Sequence, residues 1–214
     1  VNIIAGRDER TFPKGWMRVP EMIDLHHLTK HFYDGRTELK GKSLRILEVG
    51  SYLGRSSTAM LLGMKEGVAP ENYKDCEFYA VDNWSKDGSD RKEFTDNVMK
   101  EAPCPVTVLS GDSKLILPQL LQSDKAAYFD LIFIDADHSY EAVKADIINC
   151  WPLLSVRGVM AGHDYHRSGT VGVQRAVDEI FKKFTIVERM AGSIWAVRKT
   201  SAELGGDNRV FRKG

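Results

Sequence analysis

The sequence predicts an α/β fold: a doubly wound, mostly parallel sheet with helices on both faces, ending in an antiparallel C-terminal hairpin. Three observations predict it. The unbroken apolar run Leu131-Ile132-Phe133-Ile134 reads as a strand buried on both faces, as strands of parallel sheets are. Strand-like and helix-like segments alternate from Leu44 to Phe184. Only Met190-Ala191-Gly192 separate the last two strand-like segments, and so short a link implies antiparallel pairing.

Each element has its own signal. Residues 1–20 carry Pro13, Gly15 and Pro20 and read as an irregular lead-in. The spacing of Met22, Leu25, Leu28 and Phe32 predicts a helix over 21–33. After the Gly41-Lys42 turn, strands are expected at 44–49, 77–81, 106–109, 131–134 and 156–161. Helices are expected at 55–66, 91–101, 114–122, 141–151 and 172–184. The hairpin strands fall at 185–189 and 193–198, which makes five parallel strands and two terminal ones. The chain divides into a lead-in and helix over 1–40, a substrate-side cap; the sheet domain over 41–199; and a polar tail over 200–214 with Gly205-Gly206.

Bulk properties narrow the class. The 214 residues suit one large domain. Thirty basic and thirty acidic residues cancel, which argues against nucleic acid or an anionic membrane as partner. No apolar run approaches the roughly 18–20 residues that span a bilayer. The stretch Arg7-Asp8-Glu9-Arg10 is unlike a signal peptide. Cys76, Cys104 and Cys150 are scattered and form no CxxC. They are expected to be reduced thiols in a cytoplasmic protein.

In open parallel sheets, ligands bind beyond the carboxyl ends of the strands. The first strand is followed by Gly50-Ser51-Tyr52-Leu53-Gly54. Gly50 permits close backbone approach to a ligand, and Gly54 opens a helix whose N–H groups suit an anion. Glycines serve many strand–helix turns for steric reasons alone. The pattern is neither G-x-G-x-x-G, because Tyr52 takes the middle place, nor a P-loop. The second strand ends in Asp82-Asn83-Trp84. There an acid is placed for a ribose diol and Trp84 for an adenine face, or both are turn and packing residues. The third ends in Gly111-Asp112-Ser113, where Asp112 could accept from an adenine amino group or cap the next helix.

The fourth strand is followed by Asp135-Ala136-Asp137-His138-Ser139-Tyr140, and the fifth by His163-Asp164-Tyr165. Asp135, His163 and Asp164 could converge on one cation. Carboxylates suit Mg²⁺, Ca²⁺ or Mn²⁺, and a histidine tilts the choice toward Mn²⁺ or another transition metal.

Taken together, Glu48 to Ser56, Val81-Asp82, Gly111-Asp112-Ser113, Ile134 to Tyr140 and Gly162 to Tyr165 resemble a class I S-adenosylmethionine-dependent methyltransferase. The resemblance covers roughly residues 44–198. It is nearest to small methyltransferases with an Asp-x-x-His-x-Tyr motif, relatives of the cation-dependent O-methyltransferases. It implies a Rossmann-like seven-stranded sheet of order 3-2-1-4-5-7-6 with strand seven antiparallel. It also implies S-adenosylmethionine as cofactor, a small-molecule acceptor as partner, a Mg or Mn divalent cation, and room for a homo-oligomer.

Carried over by position, Gly50, Ser51 and Tyr52 line the methionine half of the donor, and Ser56 holds its carboxylate. Glu48, Gly54, Trp84 and Asp135 complete the cofactor-binding set. Asp82 takes the ribose hydroxyls, and Asp112 and Ser113 face adenine. Asp135, His163 and Asp164 fall on the metal positions. His138 falls on the family's catalytic lysine. Two residues depart from the pattern: His163 stands for a carboxylate ligand, and His138 for the lysine. An unperturbed imidazole titrates near ~6.5 and suits a base at neutral pH.

The expected reaction is O-methylation of a sugar, phenol or natural-product hydroxyl, with Asp135 and His138 catalytic. Two other readings remain open at this point. Tyr140-x-x-x-Lys144 has the spacing of a short-chain-dehydrogenase pair that works beside NAD(P). Alternatively, the domain is a non-catalytic cofactor- or nucleotide-binding module. Trp16, Met17, His26, His27, Trp84 and Tyr165 are candidate walls of an acceptor pocket.

Overall fold

A computed structural model of the chain describes residues 3–4, 6–32, 43–182 and 193–200. Its centre is a six-stranded sheet. The strands are β1 (Arg45–Val49), β2 (Glu77–Asp82), β3 (Val106–Ser110), β4 (Phe129–Ile134), β5 (Leu154–Gly162) and β6 (Trp195–Arg198). Their spatial order is β3-β2-β1-β4-β5-β6, parallel throughout except that β6 runs antiparallel to β5. The expected strand over 185–189 and its link over 190–192 lie outside the described residues.

Among the described residues, six α-helices cover the sheet: α1 (Val19–Lys30), α2 (Arg55–Gly67), α3 (Arg91–Met99), α4 (Ser113–Gln122), α5 (Tyr140–Cys150) and α6 (Val171–Ile180). The apolar runs feed two cores because a strand alternates its side chains. Ile46, Leu131 and Phe133 join the core under α1, α2 and α3. Leu47, Ile132 and Ile134 join the core under α4, α5 and α6. This is why β1 and β4 read as unbroken apolar stretches.

The lead-in is less irregular than expected. Ile3–Ile4 pairs with Arg7–Asp8 in a two-residue ladder, too short to carry a sequence period. Helix α1 begins at Val19, ahead of the expected start, because Pro20 is tolerated in a first turn and Glu21 caps it by accepting from Arg18 N at 2.8 Å. It crosses α2 at a glycine notch. A Cβ on Gly63 would lie 2.3 Å from the His26 carbonyl oxygen, and one on Gly67 would lie 2.2 Å from that of Lys30. Close approach of the two backbones therefore requires both glycines, and it carries the start of α1 to the carboxyl edge of the sheet.

Register fixes that edge. Val49 pairs with Val81 and with Ile134, and Ile134 pairs with Gly162. The next residues, Gly50, Asp82, Asp135 and His163, thus leave the sheet at one level.

Candidate functional site

A cleft of about 730 Å³ opens over this edge. It is lined by Gly50, Ser51, Tyr52, Ser56, Asp82, Asp112, Ser113, Asp135, His138, His163 and Asp164. Of the expected site residues, Glu48, Gly54 and Trp84 do not line it.

The first turn is built for close approach. Gly50 has φ +90°, and a Cβ there would sit 2.2 Å from the Asp135 carbonyl oxygen. Gly54, also in the left-handed region, starts α2, whose N-terminus has no side-chain cap and no acid in its first turn. Its free N–H groups therefore suit an anion. Asp82 orders this turn. One carboxylate oxygen accepts from Ser51 N at 2.9 Å and Tyr52 N at 2.8 Å, and the other from Trp84 N at 2.7 Å. A carboxylate has about four lone-pair sites, so little acceptor capacity is left for a ligand.

Trp84 is drawn under the turn. Its Nε1 donates to the Tyr52 carbonyl at 2.8 Å, and its ring packs on Phe94 at 5.4 Å. Glu48 is fully buried beneath Ser51, accepting from Ser56 Oγ at 2.5 Å and from Ser57 Oγ. Burial pushes its pKa up to about 7, partly offset by the serine hydroxyls.

Farther along, Asp112 caps α4 by accepting from Lys114 N at 2.9 Å. Ser113 Oγ donates to Asp146 Oδ1 at 2.6 Å. Asp146 also lines the cleft and is almost fully buried, which pushes its pKa up to about 6.

Beyond β4 and β5 lies a charge cluster. His138 Nε2 is 3.0 Å from Asp164 Oδ2 and 3.6 Å from Asp135 Oδ1. His163 Nδ1 is 3.5 Å from both carboxylates, and its Nε2 lies 3.1 Å from Glu21 Oε2, off the hydrogen-bonding line. Arg167 Nη1 donates to Asp164 Oδ1 at 2.8 Å. Asp164 itself has φ +62°, a conformation a non-glycine residue holds only where its surroundings enforce it.

Hydrogen bonds to Asp135 and then Asp164 raise His138 to about 9, against burial. Burial opposes the charge on His163, but Asp135 and Glu21 outweigh it and raise the group to about 10. Burial likewise disfavours ionised Asp164, yet His138 and Arg167 bring it down to about 2. Thus His138 holds its proton more firmly than the free imidazole assumed from sequence. Ligand atoms of Asp135, His138 and Asp164 lie within 4.8 Å of one another. This adds His138 to the two carboxylates in a set able to hold a metal, with His163 Nδ1 3.5 Å from both of them.

Glu21 was missed from sequence. It is fully buried and held by Arg18 and by Ser193 Oγ at 2.8 Å. Burial opposes its charge, but His163 and Arg18 keep its pKa below the usual carboxylate range. The capping acid of a helix gives no signal of such a role. Arg167 and Asp146 were missed as well.

Among the suggested acceptor walls, Trp16 and Met17 line the cleft. His26 and His27 instead line a separate hollow with Ile23, Lys30 and Glu66. Tyr165 is buried and donates to Asp178 at 2.6 Å.

A methyltransferase-domain family model matches residues 47–165, more than half of the chain and every strand end that lines the cleft. The chain belongs to the methyltransferase domain family. This agrees with the S-adenosylmethionine-dependent class that the motif order resembles, and it overturns the dehydrogenase alternative. Consistently, the methyltransferase's Tyr140 and Lys144 bond each other at 3.0 Å outside the cleft, beside Glu179.

Several solved structures share the fold. The O-methyltransferase NovP has a TM-score of 0.64 and 16% identity over 85% of this chain and 80% of that one. CalS11, the TDP-rhamnose 3'-O-methyltransferase of calicheamicin biosynthesis, gives 0.62 and 16% over 85% and 81%. MycE of the mycinamycin pathway, in complex with Mg and SAH, gives 0.51 and 16% over 84% and 51%. At these identities the likeness is one of fold. No curated protein matches the sequence. No helix among the described residues is long and apolar enough to cross a membrane.

Proposed function

We propose that the domain transfers a methyl group from S-adenosylmethionine to a hydroxyl of a small molecule, a sugar, phenol or natural-product intermediate, with a divalent cation at Asp135 and Asp164. The observation that carries the reading is the shared cleft. The Gly50 turn and the Asp135–His138–Asp164 group open into one volume, so a donor and an acceptor oxygen can meet there.

The residues suit the donor. The uncapped start of α2 with Ser56 is suited to its carboxylate, and Gly50 to Tyr52 to its methionine half. The cation-like charge of its sulfur would sit near Asp135. Asp82 acts mainly by holding the turn, and the region of Gly111 to Ser113 receives the base. Bound there, the donor supplies a methyl group on positively charged sulfur, transferable in line to oxygen. The domain's own contribution is alignment, worth up to ~7–11 kcal/mol in well-placed systems, and removal of the acceptor's proton.

The residues also suit a hard or borderline cation: two carboxylates and one imidazole, with a second imidazole adjacent. A cation there would lower the pKa of a bound hydroxyl. It would also compete with the proton of His138, since both answer the charge of Asp135 and Asp164. His138 is then either ligand or base. MycE, crystallised with Mg and SAH, and CalS11, which acts on a TDP-sugar, favour Mg and a glycosyl acceptor. In the same reading, residues 1–40 cap the acceptor side through Trp16 and Met17. A seventh strand beside β6 and a homo-oligomer belong to it as well.

The test is direct. SAH titrated into the protein should bind with micromolar or better affinity, and labelled methyl should pass to a hydroxyl panel of sugars and phenols. SAH binding with no transfer to any acceptor would favour a binding module, and absence of SAH binding would end the reading. Mn²⁺ titration of His138→Ala separates its two roles. Lost metal affinity marks a ligand, while retained affinity with lost turnover marks a base.

A further inference from the structure

We propose that Asp146 reads the donor's purine, selecting a 6-amino over a 6-oxo base. This rests on the donor reading above and assigns that site a specificity residue. Asp146 lies on α5, one turn after Ala142, so both present the same helix face, and both line the cleft. Ala142 is a small residue, so this part of the cleft wall carries little side chain besides Asp146. Asp146 is 2% exposed, far more enclosed than the neighbouring Asp112, which is exposed and already occupied as a helix cap.

Among the described residues, Ser113 alone donates a hydrogen bond to Asp146, at 2.6 Å. That fixes the side chain and leaves acceptor sites free on a group with about four. No described hydrogen bond or ion pair joins it to a cation. A buried acceptor with spare capacity, at the end of the cleft where strand β3 delivers Ser113, is matched by an N–H donor. The exocyclic amine of adenine offers one, whereas the carbonyl oxygen of hypoxanthine would face the carboxylate lone pairs. Sites that hydrogen-bond a group discriminate strongly against analogues lacking it, because their own polar atoms are then left unpaired.

The experiment compares SAH with its 6-oxo analogue, S-inosylhomocysteine, by calorimetry on the full chain. The wild-type protein should prefer SAH by about ten- to a hundredfold. Asp146→Asn, whose amide can both donate and accept, should narrow the preference to about threefold or less. Asp146→Ser should do the same and serves if the asparagine variant fails to fold. A wild-type preference unchanged in both Asp146 variants, or no wild-type preference at all, overturns the inference while leaving the proposed function standing. Absence of SAH binding to the wild-type protein overturns the proposed function instead.

Discussion

Replacing Glu48 with glutamine should make the domain's stability less dependent on pH. Glu48 sits on the central strand β1 and is fully buried, with burial the main cause that raises its pKa from an ordinary 4.5 to about 7. The unfolded chain releases this proton above about 4.5, while the folded chain keeps it until about 7. Between these limits the folded state binds more protons, so stability falls as pH rises. The slope is about 1.4 kcal/mol per pH unit, and the whole interval costs about 3 kcal/mol. Against a typical total of ~5–15 kcal/mol this is a large share.

Below about 4.5 and above about 7 the contribution is flat. Glutamine cannot ionise, and its amide can accept from one of Ser56 and Ser57 while donating to the other. The assay is urea denaturation of both proteins across this range. The stability of Glu48→Gln minus that of the wild-type protein should climb by about 3 kcal/mol from acid to neutral pH, because the other titrating groups cancel in the difference. A difference that stays constant with pH, or falls, would refute the reasoning. It would mean that the hydroxyls of Ser56, Ser57 and Ser51 stabilise the anion at least as much as burial penalises it.

Other substitutions test the frame around the site. Gly50→Ala should abolish measurable SAH binding, because its φ alone costs ~1–3 kcal/mol for alanine and the added carbon collides with the Asp135 carbonyl; calorimetry with a thermal melt reads both effects. Gly63→Ala should destabilise the fold by about 1–3 kcal/mol, since α1 must lift from α2; the urea midpoint checks it. Asp164→Asn should weaken Mn²⁺ binding by at least about tenfold, as loss of an anionic ligand would, and an unchanged titration would remove Asp164 from the metal site.

Legibility in the sequence followed the range of the interaction. Strand ends were readable because parallel register converts short motifs into neighbours. Once β1, β2, β4 and β5 are aligned, Gly50, Asp82, Asp135 and His163 must share a level. The electrostatic state of His138 was not readable in the same way. The motif puts it three residues from Asp135, but the closer carboxylate is Asp164, delivered by the next strand in a left-handed conformation that no local pattern announces.

Glu21 is the extreme case. Locally it is a helix cap for Arg18, and it satisfies that role completely. Its second role, facing His163 and Ser193, depends on where α1 crosses α2, which Gly63 and Gly67 determine. Two glycines in a helix ordinarily lower its propensity and look like a weakness. Here they let the backbones meet, and the same approach carries a third carboxylate to the edge of the charge cluster. The stability of α1 and the charge balance around His163 are therefore coupled through residues that touch no ligand. Gly63→Ala should accordingly disturb metal binding at Asp135 and Asp164 as well as the fold. A variant destabilised as expected but with wild-type Mn²⁺ affinity would show that Glu21 supports the helix and contributes nothing to the site.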